Sequence, residues 1–375
     1  REWYLNIHDG YLYYKPAVFE DMKSCDVVMP VLEKLVTVLG NERNFAKNIT
    51  FKNIGFKYAT WLRPSSDIGH SDSQNNKIRD GVQVKYNEDG TYELTVEYQE
   101  EHHSDAAVEV AYAENVNFVD CTFSKLGSIG LKMVDGVKEF KLQGNKVYDI
   151  SGNGICIGEP YRYYAPETED KYVMRDIEIS NNVIYDVGEE FKSSGGLSVT
   201  FAKNCLIKNN EIFRVPYSGI HIGHTPSTYT QNLRIENNYV HDCLNEELSD
   251  GGGIYHSNAT AGTEENPNVV SGNYVKDIMN NAWRIAFDNE SSGYTVFDNV
   301  VYGTRVEVMN EIAYSWAGLW EIYDISGAYE TVKCDNNYGT LGVVETPTIT
   351  NHHVSEFGQW DSDALSIIDN AGLSG

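Results

Sequence analysis

The stretch Phe140 to Ile150, "FKLQGNKVYDI", comes back as Ile177 to Val187 "IEISNNVIYDV", Cys205 to Val215 "CLIKNNEIFRV" and Leu233 to Cys243 "LRIENNYVHDC". Aligned on the asparagine, each copy reads apolar, any, apolar, two of any kind, Asn, any, apolar, two of any kind, apolar. Looser copies surround Asn273, Asn299 and Asn337, and Cys121 and Ile54 take the asparagine's place in two earlier ones. Apolar letters at period two mark short strands on either side of the asparagine, which sits where the chain must turn. A short strand with one apolar face is not stable alone, so the copies must stack. Inward asparagines stacked in this way hydrogen-bond up and down the column, which satisfies amide groups that a lone buried Asn would leave open.

A second phrase follows the first: Gly130-Leu131-Lys132-Met133, Gly154-Ile155-Cys156-Ile157, Gly196-Leu197-Ser198-Val199, Gly219-Ile220-His221-Ile222 and Gly253-Ile254-Tyr255-His256. It supplies a further strand per coil. Together the two phrases predict an all-β chain, a right-handed parallel β-helix with coils stacked about 4.8 Å apart. In the glycine strands the apolar letters are expected to point inward. The alternate letters, Lys132, Cys156, Ser198, His221, Tyr255 and Ala286, are expected to form an outward column facing solvent. From Cys121 onward adjacent copies lie 24 (Cys121 to Asn145) to 38 (Asn299 to Asn337) residues apart, and the most compact of the clear copies need 28 (Asn182 to Asn210, Asn210 to Asn238). The surplus falls at Gly158 to Tyr172, His224 to Gln231, Leu244 to Asp250 and Ser257 to Pro267, all but one of them next to the glycine strands. Such loops are expected to build a binding wall on one flank.

The ends differ. Glu2 to Pro16 reads as a hairpin about His8-Asp9-Gly10, and Val82 to Tyr98 as another about Asp89-Gly90. Asp361 to Gly372, with its acidic first turn and closing glycine, reads as a helix that caps one end. The expected organisation is residues 1–110 as hairpins and a first coil, 111–345 as the β-helix and 346–375 as the C-terminal cap. Upstream residues or another subunit are expected to complete the first coils.

Fifty-five acidic against 29 basic residues give a formal charge of -26. That balance argues against a nucleic-acid partner, which needs clustered Lys and Arg, and favours neutral ligands such as sugars. No apolar run is long enough to span a bilayer. The six cysteines stand singly with no CxxC pair, so they read as small buried apolar residues, and neither metal nor cofactor is expected.

The phrases "EWYLNIHDGYLYYKP", "EEFKSSGG", "VPYSGIHIG", "DGGGIY" and "FDNESSGYTVFDNVVY" resemble the β-helix glycoside hydrolases of bacteria, a group that includes glycoside hydrolase families 120, 136 and 141. The resemblance implies an oligosaccharide or glycan substrate and a pair of acids on the outer face of neighbouring coils. Members of the group include β-xylosidases, lacto-N-biosidases and fucosidase-like enzymes. Glycoside cleavage needs one carboxyl to protonate the leaving oxygen and another to attack or to activate water. Asp250, at the head of "DGGGIY", and Asp288, at the end of "RIAFD", lie on adjacent coils and are the candidate pair; Glu190 is a third candidate acid. Tyr217, His221, His224, Tyr255, His256, Trp283 and Glu290 are candidate substrate contacts, by stacking on a sugar face or by hydrogen bonding to hydroxyls. A polysaccharide lyase, with Lys132 or Arg284 as base, and a glycan-binding solenoid without activity are the alternatives.

Overall fold

In a computed structural model the described residues are 2–6, 8–67, 69–70, 72–78, 82–87, 89–96, 102–159, 170–223, 230–244, 248, 250–257, 260–279, 283–288, 291–302, 320–322, 332–339, 349–355 and 359–374. The chain divides into Arg1–Val31 and Leu32–Gly375. The first unit carries an antiparallel hairpin of Glu2–Asn6 on Tyr11–Lys15, closed by Asp9, whose Oδ1 accepts the Tyr11 N–H at 2.9 Å.

The second unit is a parallel β-helix. Among the described residues, three parallel sheets of nine, ten and ten strands run its length, each strand paired with its counterparts in the coils before and after. Sheet A holds the glycine strands, including Ile129–Met133, Ile155–Ile157, Leu197–Val199, Ile220–Gly223, Gly252–Ser257 and Trp283–Asp288. Sheets B and C hold the strands before and after each asparagine, for instance Ala202–Lys208 and Glu211–Val215. The repeat positions Phe140, Leu142, Val147, Ile150 and their equivalents in later coils are buried in one continuous core.

The asparagine column is continuous. Asn145, Asn182, Asn210, Asn238, Asn273 and Asn299 each donate their Nδ2 to the Oδ1 of the next asparagine, ending on Asn337, at 2.9 to 3.1 Å. Each Nδ2 also reaches a carbonyl of the preceding coil; that of Asn210 meets Ile179 O at 2.9 Å. The residue before each asparagine is left-handed, with φ between 50° and 70° at Gly144, Asn181, Asn209, Asn237, Gly272, Asp298 and Asn336. Asn, Asp and Gly tolerate that conformation best, which explains why the turn is written in those letters.

The glycine that opens each sheet A strand has a different cause. A Cβ at Gly130, Gly154, Gly196 or Gly219 would come within 2.6 to 2.8 Å of the carbonyl oxygen of the corresponding glycine in the next coil. The coils meet too closely there for any side chain.

Two features organise the surroundings. Between Ala59 and Ala106 the chain leaves the first coil on an excursion that contains the hairpin Val82–Tyr86 with Tyr92–Val96 and the short pair Lys77–Ile78 with His102–His103. At the other end a helix, α1 (Ser362–Asn370), is capped by Asp361, whose carboxylate accepts the Asp363 and Ala364 N–H groups. Sequence reasoning expected this helix to close the end of the solenoid. Instead, it packs on the flank through Ala364, Ile367 and Ile368 against Val300 and Tyr338. The tail then runs back along the turns, with Gly372 N–H on Asn237 O at 2.9 Å, Asn209 Nδ2 on Gly372 O at 2.9 Å and Ser374 N–H on Asn181 Oδ1 at 2.8 Å. Along that flank Asn209 offers its side-chain N–H, Asn237 its backbone carbonyl and Asn181 its side-chain oxygen, and the tail takes them.

Candidate active site

The alternation along sheet A is as expected, but the outward column does not face water. Lys132, Cys156, Ser198, His221, Tyr255 and Ala286 are all buried. The excursion lies over the earlier part of the column, at Lys132 and Ser198. Asn75 Nδ2 donates to Ser198 Oγ at 2.7 Å, Asn153 Nδ2 to Asn75 O at 3.0 Å, and Asn76 Nδ2 to Ser104 Oγ at 3.1 Å. Trp61 packs edge-on against His70 and Phe191 at 4.9 and 5.3 Å between centroids. Lys132 reaches Glu159 at 2.7 Å and Ser104 O at 3.0 Å, and Glu159 also accepts the His103 N–H at 2.9 Å. Burial opposes the charge on Lys132, yet the Glu159 carboxylate beside it holds its pKa above the usual value. Lys132 is therefore a strut under the roof, spent in a buried pair, and not a base facing a ligand.

Where the roof ends stand Asp250 and Asp288, near enough that the charge of Asp288 acts on Asp250. Asp250 precedes the strand Gly252–Ser257, and Asp288 closes the strand Trp283–Asp288 one coil on; Tyr255 pairs with Ala286 and Ser257 with Asp288 in register. The Tyr255 hydroxyl donates to Asp288 Oδ2. Asp250 Oδ1 accepts the Gly251 N–H at 2.8 Å, and Oδ2 accepts Gln74 Nε2 at 3.0 Å. That same amide nitrogen donates to the Tyr217 hydroxyl. Between these groups lies the His221 ring, 5.6 Å from Tyr217 and 5.1 Å from Tyr255. Gly251 (φ 111°) can only be glycine, since a Cβ would come within 2.7 Å of the Tyr217 ring.

Asp250 touches solvent, yet enough protein surrounds the carboxyl that burial raises its pKa. The charge of nearby Asp288 raises it further, against the Gly251 and Gln74 donors. A carboxyl with a raised pKa beside a second carboxylate is the arrangement that divides acid from base. Burial also raises the pKa of Tyr217 and Tyr255, so both hydroxyls stay protonated and able to donate.

Residues 106–301, more than half of the chain, match the family described as "Right handed beta helix region". The chain belongs to the right-handed β-helix family. Among solved structures this β-helix resembles one titled "Glycoside hydrolase", with a TM-score of 0.70 at 24% identity over 100% of this chain and 58% of that one. It thus spans a little over half the length of that protein, and the likeness is one of fold. A pectate lyase and a mannuronan C-5 epimerase module from Azotobacter vinelandii superpose less well, with TM-scores of 0.45 and 0.39 at 11% and 12% identity. Each covers 68% of this chain, and 58% and 61% of its own. No curated protein matches the sequence.

The other candidate residues of this β-helix are scattered. Glu190 stands exposed on the turn two coils before Asp250. Among the described residues no side-chain hydrogen bond or ion pair joins it to the cluster. His256 has inward parity, contrary to its expected place at a ligand: its ring stacks on Phe287 at 4.7 Å and meets Tyr294 edge-on at 4.5 Å. Trp283 lies on the strand through its backbone. His224 and Glu290 lie outside the described residues, as does most of the surplus at 158–172, 224–231 and 244–250. Among the described residues there is no group of three His, Cys, Asp or Glu that could hold a metal ion. No described helix is long and apolar enough to cross a membrane.

The buried His256 makes stability depend on pH. Burial pushes its pKa from 6.5 down to about 3. As pH falls below 6.5 the unfolded chain takes up this proton while the folded chain does not until about 3, so stability is lost across that window. His256→Phe is expected to lose less stability than wild type between about pH 7 and about pH 5, read as the difference in urea midpoints. Equal losses would show that His256 is protonated as readily folded as unfolded.

Sequence reasoning missed Gln74 and the roof. The signal was present in the outward letters: Cys156, Ser198 and Ala286 are too small and too little charged for a solvated strand face.

Proposed function

We propose that this β-helix is a glycoside hydrolase acting on a neutral oligosaccharide or glycan. In this reading Asp250 gives its proton to the glycosidic oxygen as that bond breaks. Asp288 either attacks the anomeric carbon or takes a proton from the water that does. The observation that carries this reading is the pairing of two carboxylates on adjacent coils, near enough for the charge of one to raise the pKa of the other, with separate donors holding each. Pairs of this kind act at separations of roughly 5 to 10 Å in such enzymes.

The fold likeness to a protein titled as a glycoside hydrolase supports the same reading, as does the resemblance of "VPYSGIHIG" and "DGGGIY" to the bacterial β-helix glycosidases. Within that group the β-xylosidase-like, lacto-N-biosidase-like and fucosidase-like activities are the ones to try first. The lyase reading loses one of its two candidate bases, Lys132, which is buried against Glu159, and keeps Arg284. The test is incubation with aryl glycosides and with milk and plant oligosaccharides, followed by mass spectrometry. Hydrolysis yields products whose masses sum to substrate plus one water; an ultraviolet-absorbing unsaturated product would instead indicate a lyase, and binding without turnover a glycan-binding solenoid.

A further inference from the structure

Gln74 comes from the excursion, 176 residues before the carboxyl it touches. We infer that it is a positioning residue: its amide fixes the Asp250 carboxyl in the orientation from which the proton leaves, and ties it to Tyr217. This rests on the reading of Asp250 as the proton donor.

The geometry separates this role from mere anchoring of the loop. The roof is already held by its neighbours, with Asn75 on Ser198 and Asn153, and the Asn76 N–H on Ser193 Oγ at 3.0 Å. Gln74 adds nothing those bonds lack except a contact with the site. Its Nε2 is 3.0 Å from Asp250 Oδ2 and also donates to the Tyr217 hydroxyl, while Oδ1 takes the Gly251 N–H at 2.8 Å. Both carboxyl oxygens are thereby fixed, and each keeps a further lone-pair direction where a proton can sit. The amide presents its nitrogen to both the Asp250 carboxyl and the Tyr217 hydroxyl, as a donor that suits the charged form of Asp250. A donor on Asp250 also favours its charged form. That counters the effect of burial and keeps the proton transferable near working pH.

The test is Gln74→Leu, which keeps the volume and removes the amide. On an aryl glycoside that the wild type hydrolyses, kcat is expected to fall on the order of ten- to a hundredfold with KM within about twofold, the scale of one hydrogen bond to a charged group. The alkaline limb of kcat/KM is expected to move to higher pH, since the charged form of Asp250 has lost a donor. A second readout needs no turnover: carbon-13 NMR of labelled aspartate, with the Asp250 carboxyl assigned by its loss in Asp250→Asn, should show that carboxyl titrating at higher pH in the variant. Gln74→Ala, with the same expected outcomes, keeps the test open if leucine disturbs the loop. An unmoved titration and an unmoved alkaline limb would overturn the inference, whatever happens to the overall rate. A moved titration in a protein that hydrolyses no glycoside would instead count against the hydrolase reading and leave the contact standing.

Discussion

Asp288→Asn is expected to remove hydrolysis, lowering kcat by on the order of a thousandfold, with little change in the melting temperature. Asparagine matches the shape of Asp288 and still offers Tyr255 an oxygen to donate to, so the strand Trp283–Asp288 and its pairing with Gly252–Ser257 have no reason to move. What disappears is the negative charge. Without it nothing at that position can attack the anomeric carbon or draw a proton from water. Rates are read from aryl-group release under saturating substrate, alongside a thermal melt. A variant that keeps full activity would take Asp288 out of the pair.

Asn210→Leu is expected to be among the most damaging changes to the fold. Asn210 Oδ1 accepts both the backbone N–H and the Nδ2 of Asn182, at 3.0 and 2.9 Å. Its own N–H and Nδ2 donate to Asn238 Oδ1 at 3.0 and 2.9 Å, and Nδ2 also serves Ile179 O. Leucine fills the space and breaks the column in the middle: the backbone N–H and one Nδ2 hydrogen of Asn182 lose their acceptor and Ile179 O loses this donor, while the N–H of residue 210 still reaches Asn238 Oδ1. Each such group costs about 1–3 kcal/mol, so three of them cost about 3–9 kcal/mol. That is a large share of the roughly 5–15 kcal/mol by which a domain is stable. Urea denaturation followed by circular dichroism measures it; a loss under about 1 kcal/mol would mean that water or a shifted turn had taken over the asparagine's bonds.

Periodicity made the fold legible. Strand, turn asparagine and strand recur closely enough that coil, core letters and ladder could all be read from "FKLQGNKVYDI" and its copies. Parity was legible for the same reason, and it placed Asp250 and Asp288 at the ends of adjacent glycine strands. Exposure was not legible, because it depends on what lies over a face. The loop that covers Ser198 and reaches Asp250 is Gln74-Asn75-Asn76, more than a hundred residues earlier; the small outward letters of sheet A signal a cover, but nothing local to the sheet says which segment supplies it. His256 failed as a candidate for the opposite reason. The period-two pattern itself puts this histidine in the core, beside Phe287 and Tyr294. The terminal helix was visible in its capping aspartate and closing glycine. Its docking on the flank depended on Asn181, Asn209 and Asn237 offering side chains and carbonyls outward, which their letters do not distinguish from those of any other turn.

The division of labour between the two acids is tested most directly by comparing Asp250→Asn with Asp288→Asn on a pair of glycosides that share one sugar, one with an alkyl leaving group and one with a dinitrophenyl group. A dinitrophenolate departs without a proton. Asp250→Asn should therefore lose most of its activity on the alkyl glycoside and keep much of it on the dinitrophenyl one, whereas Asp288→Asn should lose both. Equal losses on the two substrates in both variants, or an Asp250→Asn protein that cleaves the alkyl glycoside at the wild-type rate, would contradict the assignment of Asp250 as the proton donor.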